Sequence, residues 1–273
     1  MSHVTVIRGD GPVVLGQPHG GTWVPDDLLA RLNARGRMLA DTDWHIDRLY
    51  EGLLPAASVV RAHVHRYVID ANRDPGGASL YPGRNTTALC PVTDFDGQDI
   101  WQTGQHPSAD EIADRCNRFH APYHAALAEE LARVSARHGF AVLYDCHSIR
   151  SRIPFLFEGD LPTFSIGTND GATCAPGIAR VVEAHCRAAE GHDTVVNGRF
   201  KGGWTTRHYG QPAQGVHAIQ MELAQRAYMD EAPPWTWRAD RAAGLRAVLS
   251  DILQSLDDPA TWDETHAKGA SDD

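Results

Sequence analysis

Three apolar runs of the 273-residue chain end in side chains that could hold a cation or move a proton. Val13-Val-Leu-Gly-Gln17 leads into Pro18-His19-Gly20-Gly21, and Phe140-Ala-Val-Leu-Tyr144 leads into Asp145-Cys146-His147-Ser148. A third run, from Val216, carries Gln220-Met221-Glu222-Leu223. Neutral imidazoles suit a zinc-like ion, and a hydrolytic zinc site takes three protein ligands and keeps one position for water. His19 and His147 would supply two ligands and Glu222 a general base; the third ligand should be a carboxylate. Asp43 and Asp47 are the candidates, four apart in a stretch that reads as helical and therefore on one face.

A second cluster is Arg66-Tyr-Val-Ile-Asp70-Ala-Asn72-Arg73. A guanidinium beside an amide is suited to gripping a carboxylate, and Arg66 could face a developing oxyanion. Both arginines also fit ordinary structural ion pairs. Arg84 and Arg207 stand in glycine-containing loops, as do Arg150 and Arg152 after His147, and together they point to a small anionic ligand. His120 and His124 have the spacing of a zinc pair, but Ala121-Pro122-Tyr123 between them lacks the glutamate of His-Glu-x-x-His. Ser148 has no Gly-x-Ser-x-Gly elbow around it, so it reads as a supporting hydrogen-bond partner and not a nucleophile.

The elements that must position these groups alternate in type. Strands are expected over residues 13–17, 58–65, 67–69, 140–144, 194–196 and 216–223. Helices are expected over 26–36, 41–54, 176–189 and 239–256. Ser108-Ala-Asp-Glu111 matches a capping box opening a long helix, whose Ile112, Cys116, Phe119, Tyr123, Leu127, Leu131 and Val134 form one stripe. Pro122 should kink it and Gly139 end it. The turn-rich stretch 74–103 is long for a connection and reads as functional. The expected fold is α/β, a mixed and mostly parallel central sheet flanked by helices. Residues 1–256 would form one catalytic domain, and 257–273 an acidic, mobile tail.

Composition narrows the classes further. Acids exceed bases 35 to 25, for a net charge of −10, which argues against a nucleic-acid surface. Six acids against one lysine from Asp257 onward carry half of that excess. No apolar run approaches the ~20 residues that span a bilayer, and the first residues do not read as an export signal, so a cytoplasmic enzyme without a membrane partner is expected. Five scattered cysteines with no Cys-x-x-Cys fit buried thiols in a reducing compartment. Nothing in the sequence sets the oligomeric state.

With these residues in view, the sequence resembles the N-formylglutamate deformylase family, amidohydrolases that end one branch of bacterial histidine degradation. The likeness runs from about Val13 to Tyr228. It is carried by the segments around His19 and His147, by Thr42-Asp-Trp-His-Ile-Asp-Arg-Leu49 and Asp70-Ala-Asn-Arg-Asp-Pro75, and by Gly202-Gly-Trp-Thr-Thr-Arg-His-Tyr-Gly210 and His217-Ala-Ile-Gln-Met-Glu-Leu223. The resemblance implies a zinc-carboxypeptidase-like fold. A more distant similarity, to aspartoacylase and succinylglutamate desuccinylase, implies that Asn72 and Arg73 bind an amino-acid carboxylate, Arg66 faces the oxyanion and Glu222 is the base. That wider group has a glutamate three residues after its first histidine. Here Thr22 stands in that place, so the carboxylate ligand must be Asp43 or Asp47, and Asp43 is preferred.

The implied reaction is hydrolysis of N-formyl-L-glutamate to formate and L-glutamate, assisted by one divalent ion, most simply zinc, on His19, Asp43 and His147. The substrate is a small dicarboxylate, so Arg73 would need a second arginine, Arg84 or Arg207. The competing expectations are a related amidohydrolase for another N-acyl amino acid or short peptide, and a metal-free dicarboxylate-binding module.

Overall fold

A computed structural model describes residues 3–79 and 83–262 of the chain. Its strands are β1 (Val4–Ile7), β2 (Val13–Gln17), β3 (Ser58–Ala62), β4 (Ala141–Ile149), β5 (Phe164–Gly167), β6 (Thr194–Val196) and β7 (Val216–Ala224). Its α-helices are α1 (Asp26–Arg31), α2 (Ile46–Tyr50), α3 (Ala109–Arg115), α4 (Ala121–His138), α5 (Pro176–Ala188), α6 (Trp204–Tyr209) and α7 (Ala239–Asp257). The strands make one seven-stranded sheet in the order β1-β3-β2-β4-β7-β5-β6. Pairs β3–β2, β2–β4, β4–β7 and β5–β6 are parallel, whereas β1–β3 and β7–β5 are antiparallel. The mixed, mostly parallel α/β architecture read from the alternation of elements is the one observed.

Burial on both faces explains why β4 and β7 read as continuous apolar runs. Val142, Tyr144 and Cys146 of β4 pack with residues of α2, α5 and α7. Ala141 and Leu143, one residue out of phase, pack against Tyr123, Leu127, Leu131 and Val134 of α4. Side chains alternate along a strand, so Asp145 and His147 continue the α4-facing series beyond its apolar part. β2, β4 and β7 are adjacent at the sheet centre, and β2 leads to β3 on one side while β4 lies on the other. Such a divergence opens a crevice at the carboxyl ends of the strands.

Several expected elements are shorter or absent, for local reasons. The helix expected over 41–54 is only Ile46–Tyr50, because His45 takes a left-handed conformation at φ 60° and interrupts it. That over 26–36 stops at Arg31, and the Asn33 carboxamide then accepts from Gly36 N at 2.9 Å, offering the backbone a turn in place of a helical bond. Residues 67–69 form no strand. They belong to a turn closed by Val68 N on His65 O, with Val68 and Ile69 buried in a small core of their own beside Leu28, Leu32, Leu89 and Trp101. β1 and β5, for which the sequence carries no clear alternation, are additions.

The capping box holds in its first half: Ser108 Oγ accepts from Glu111 N at 3.3 Å. The Glu111 carboxylate binds Arg31 and Arg115. The helical stretch is irregular just before Pro122. Pro122 removes one backbone donor, and the preceding residues, Cys116–His120, form a π-turn in which Ala121 N bonds Cys116 O. All five cysteines are free thiols. No described helix is long and apolar enough to cross a membrane. The start of the acidic tail is packed, since Trp262 is buried in the main core and its main chain lies against Gly177; residues 263–273 lie outside the described ones.

His120 and His124 turn out to be struts. His124 Nε2 donates to Ala71 O at 2.7 Å, and His120 Nε2 to Arg73 O at 3.0 Å, which pins the loop carrying Asn72. Burial, the neighbouring His120 and His208 outweigh the Ala71 carbonyl and Asp145, and they pull the His124 pKa from 6.5 down to about 3. The fold therefore excludes a proton that the unfolded chain takes up below pH 6.5. His124 should cost stability as the pH falls from 6.5 toward 3, by up to about 1.4 kcal/mol per pH unit. Urea unfolding of His124→Gln between pH 7.5 and 5 should show a shallower acid slope than the parent; identical slopes would refute this assignment.

Candidate active site

The three central strands deliver their groups to one place. His19 lies two residues beyond β2, and His147 and Glu222 are register partners on β4 and β7. Asp43 arrives from the turn ahead of α2, where Asp43 N bonds His19 O at 3.1 Å and the Asp43 carboxylate accepts from Ser148 N at 3.1 Å. The interruption at His45 thus frees Asp43 from the helix and turns it inward. All four side chains are buried.

The distances describe a triangle of ligand atoms. His19 Nδ1 and His147 Nδ1 are 3.1 Å apart, and Asp43 Oδ2 lies 3.8 Å from the first and 3.4 Å from the second. Ligands at ~2.0–2.1 Å from a tetrahedral ion are separated by about 3.3–3.4 Å. Each imidazole has a carboxylate behind it. His19 Nε2 bonds Asp70 Oδ1 at 2.7 Å, and His147 Nε2 faces Asp145 Oδ1 across 3.1 Å. Such a carboxylate orients a ligating imidazole and raises its basicity. Asp43 Oδ1 is buried without a hydrogen-bond donor. The donor set, its spacing and its concentration of carboxylates fit one divalent cation.

The surrounding charges act in opposite directions on the two imidazoles. Burial and the Arg66 charge together hold His19 near a pKa of about 4, the neutral state a ligand requires. Burial works against a charged His147, but Asp145, Asp43 and Glu222 outweigh it and hold its pKa well above the ordinary value. That is the response of an imidazole placed where positive charge is wanted. Burial pushes Glu222 up to about 7, with His147 and Arg66 opposing and Asp43 and Asp145 assisting. A carboxyl poised near neutrality can both take and return a proton.

Arg66 stands at the edge of the triangle. Its Nη2 donates to His19 Nδ1, its Nη1 lies 3.9 Å from Asp43 and its Nη2 3.6 Å from Asp70, and its guanidinium rests 4.9 Å from the Phe95 ring centre. Asn72 is held by three contacts. Its N bonds Asp70 Oδ1 at 2.9 Å, its Nδ2 lies 3.1 Å from His147 Nε2, and its Oδ1 accepts from Thr205 N at 2.9 Å. Gly203, at the start of α6, donates to Gln220 Oε1 at 2.7 Å, and a Cβ there would fall inside the Asn72 carboxamide. Gly203→Ala should therefore displace Asn72 and loosen His147. Overpacking of this kind costs about 1–3 kcal/mol, and turnover should fall more than tenfold. Melting temperature and turnover measure the two effects; unchanged turnover would show Asn72 to be dispensable.

These groups line one cavity of about 310 Å³, at the small end of the usual range for small-molecule sites. The long stretch after Asp74 contributes much of its wall, with Asn85, Thr87, Leu89 and Phe95 among the lining residues. The N-formylglutamate amidohydrolase family model covers residues 11–229. The chain belongs to this family. An N-formylglutamate deformylase of Pseudomonas aeruginosa is 50% identical over 91% of this chain and 94% of its own length. One from Pseudomonas putida is 44% identical over 91% and 93%. The crystal structure of an N-formylglutamate amidohydrolase from Ralstonia eutropha superposes with a TM-score of 0.76 at 26% identity, covering 93% of this chain and 97% of that one.

Within this N-formylglutamate amidohydrolase scaffold the sequence-derived residues separate into two groups. His19, Asp43, Arg66, Asn72, Arg73, His147 and Glu222 converge on the cavity. Asp47 does not: its carboxylate is half exposed and lies 3.5 Å from Arg61. The expectation that Asp43 and Asp47 share a helix face is corrected by the turn at His45, which sends them in different directions. Arg84 is exposed and Arg207 bonds Gly202 O at 2.9 Å, and neither lines the cavity. Ser148 supports Asp43 as expected and accepts from Tyr228 at 2.7 Å. Sequence reasoning gave no role to Asp70 and Asp145 behind the imidazoles, to Gln220, or to Arg199. Asp145 had a signal, since it precedes His147 by the two residues that keep a strand side chain on one face. Arg199 had none, because only the connection from β6 to α6 brings it to the cavity.

Proposed function

We propose that the protein hydrolyses N-formyl-L-glutamate to formate and L-glutamate, as the last step of a histidine-degrading route in the cytoplasm, with one zinc ion on His19, Asp43 and His147. The convergence of those three ligands with Glu222 and Arg66 in one cavity, in a chain of this family, carries the reading. A divalent ion held by these three residues would supply Lewis acidity at the reacting amide. Glu222 takes the proton of the attacking water and later returns it to the leaving nitrogen. Burial raises its proton affinity above that of an ordinary glutamate, which favours both transfers. Arg66 directs N–H groups at the oxygen that gains charge in the tetrahedral state. Asn72 and Arg73 hold the α-carboxylate beside the reacting amide, and Phe95 shields the Arg66 charge from water.

The test compares formate release from N-formyl-L-glutamate with acetate release from N-acetyl-L-glutamate by the zinc-loaded protein. The account predicts a preference of at least about tenfold for the formyl substrate, the order expected for one methyl group or more. Faster acetate release would move the reading to a broader N-acyl amino-acid hydrolase. Turnover of neither would sink it.

A further inference from the structure

We propose that Arg199 reads the side-chain carboxylate of the substrate and so sets the preference for an acidic over a neutral N-formyl amino acid. The inference rests on the deformylase reading and assigns a residue that this reading lacks. A dicarboxylate needs two cationic anchors besides the reacting group, with an apolar wall for the methylenes between them. Arg66 is engaged with His19, Asp43 and Asp70. Arg73, next to Asn72, lies 3.6 Å from Asp70, on the same side as the ligand triangle. Arg84 and Arg207, the other cations expected to serve, do not line the cavity.

Arg199 does line it, and it arrives from a different part of the fold. Its Nε donates to Leu156 O at 2.9 Å and its Nη2 to Asn85 O at 3.0 Å. Its guanidinium sits 5.3 Å from the centre of the Phe200 ring, which meets Phe157 edge-on. The two carbonyls fix the plane of the guanidinium. A planar guanidinium held at a cavity wall is suited to a carboxylate. Leu156 and Phe200 line the same cavity, so an alkyl wall stands directly beside the cation. Glutamate presents that sequence of methylenes and carboxylate.

Because Arg199 also ties Leu156 to Asn85, the test must separate recognition from folding. The zinc-loaded parent, Arg199→Gln and Arg199→Lys are assayed on N-formyl-L-glutamate and on its neutral isostere N-formyl-L-glutamine, with melting temperatures alongside. For Arg199→Gln, kcat/KM on the glutamate substrate should fall about 100-fold, chiefly through KM, while the glutamine substrate changes less than about threefold. Arg199→Lys keeps the charge but loses the fork, and should fall about tenfold on the acidic substrate alone. Equal losses on both substrates would show a structural role and overturn the inference, as would a parent preference that survives in both variants. A parent inactive on both substrates would overturn the deformylase reading itself, and the inference with it.

Discussion

Glu222→Gln is expected to lower kcat on N-formyl-L-glutamate by about 10³-fold, within the 10²–10⁴ range for loss of a positioned acid–base group and equivalent to about 4 kcal/mol of barrier. The substitution keeps size and polarity, and the Gln220 Nε2 that lies 3.2 Å from Glu222 Oε2 retains an acceptor opposite it. KM and zinc content should therefore stay near those of the parent. The glutamate is buried on the central strand beside His147, and the two nearby acids behind the imidazoles cannot replace it as the mobile base: Asp70 is bonded to His19, and Asp145 faces His147. A kcat within threefold of the parent would show that the proton is handled elsewhere.

The second large effect separates two aspartates that the sequence treats alike. Asp43→Asn should weaken zinc binding by at least about 100-fold, more than the 10–100-fold typical of a partner behind a ligand, and turnover at limiting zinc should fall with it. The amide can still accept from Ser148 N, so the turn should hold and the melting temperature of the metal-free protein should change little. Asp47→Asn should bind zinc and turn over within about twofold of the parent, because it loses only a half-exposed pairing with Arg61 of the kind worth ~0–1 kcal/mol. Competition with a chromophoric chelator measures both variants. The reverse ranking would transfer the ligand role to Asp47.

What the sequence disclosed divides along physical lines. Strand ends are legible because an apolar run breaking into Pro-His-Gly-Gly or Asp-Cys-His-Ser is a local event, and a parallel sheet gathers such ends in one crevice. His19, His147 and Glu222 were found that way. Asp43 was named but placed on a helix, because the αL conformation of His45 is not encoded by any glycine or asparagine. The struts at His120 and His124 mimic a metal pair in spacing, and only the carbonyls of Ala71 and Arg73 above them reveal their purpose. The arginines were the weakest part of the reading. Charge in a glycine-rich loop says nothing about which way the loop turns, so Arg84 and Arg207 were named while Arg199 was passed over.

The most direct test of the central claim is formate release from N-formyl-L-glutamate by protein stripped with a chelator and then titrated with zinc. The account predicts no formate from the stripped protein and full recovery at one equivalent of zinc, and no recovery in Asp43→Asn at that equivalent. Formate release that is indifferent to the chelator would contradict the assignment of His19, Asp43 and His147 as the ligands of a catalytic ion.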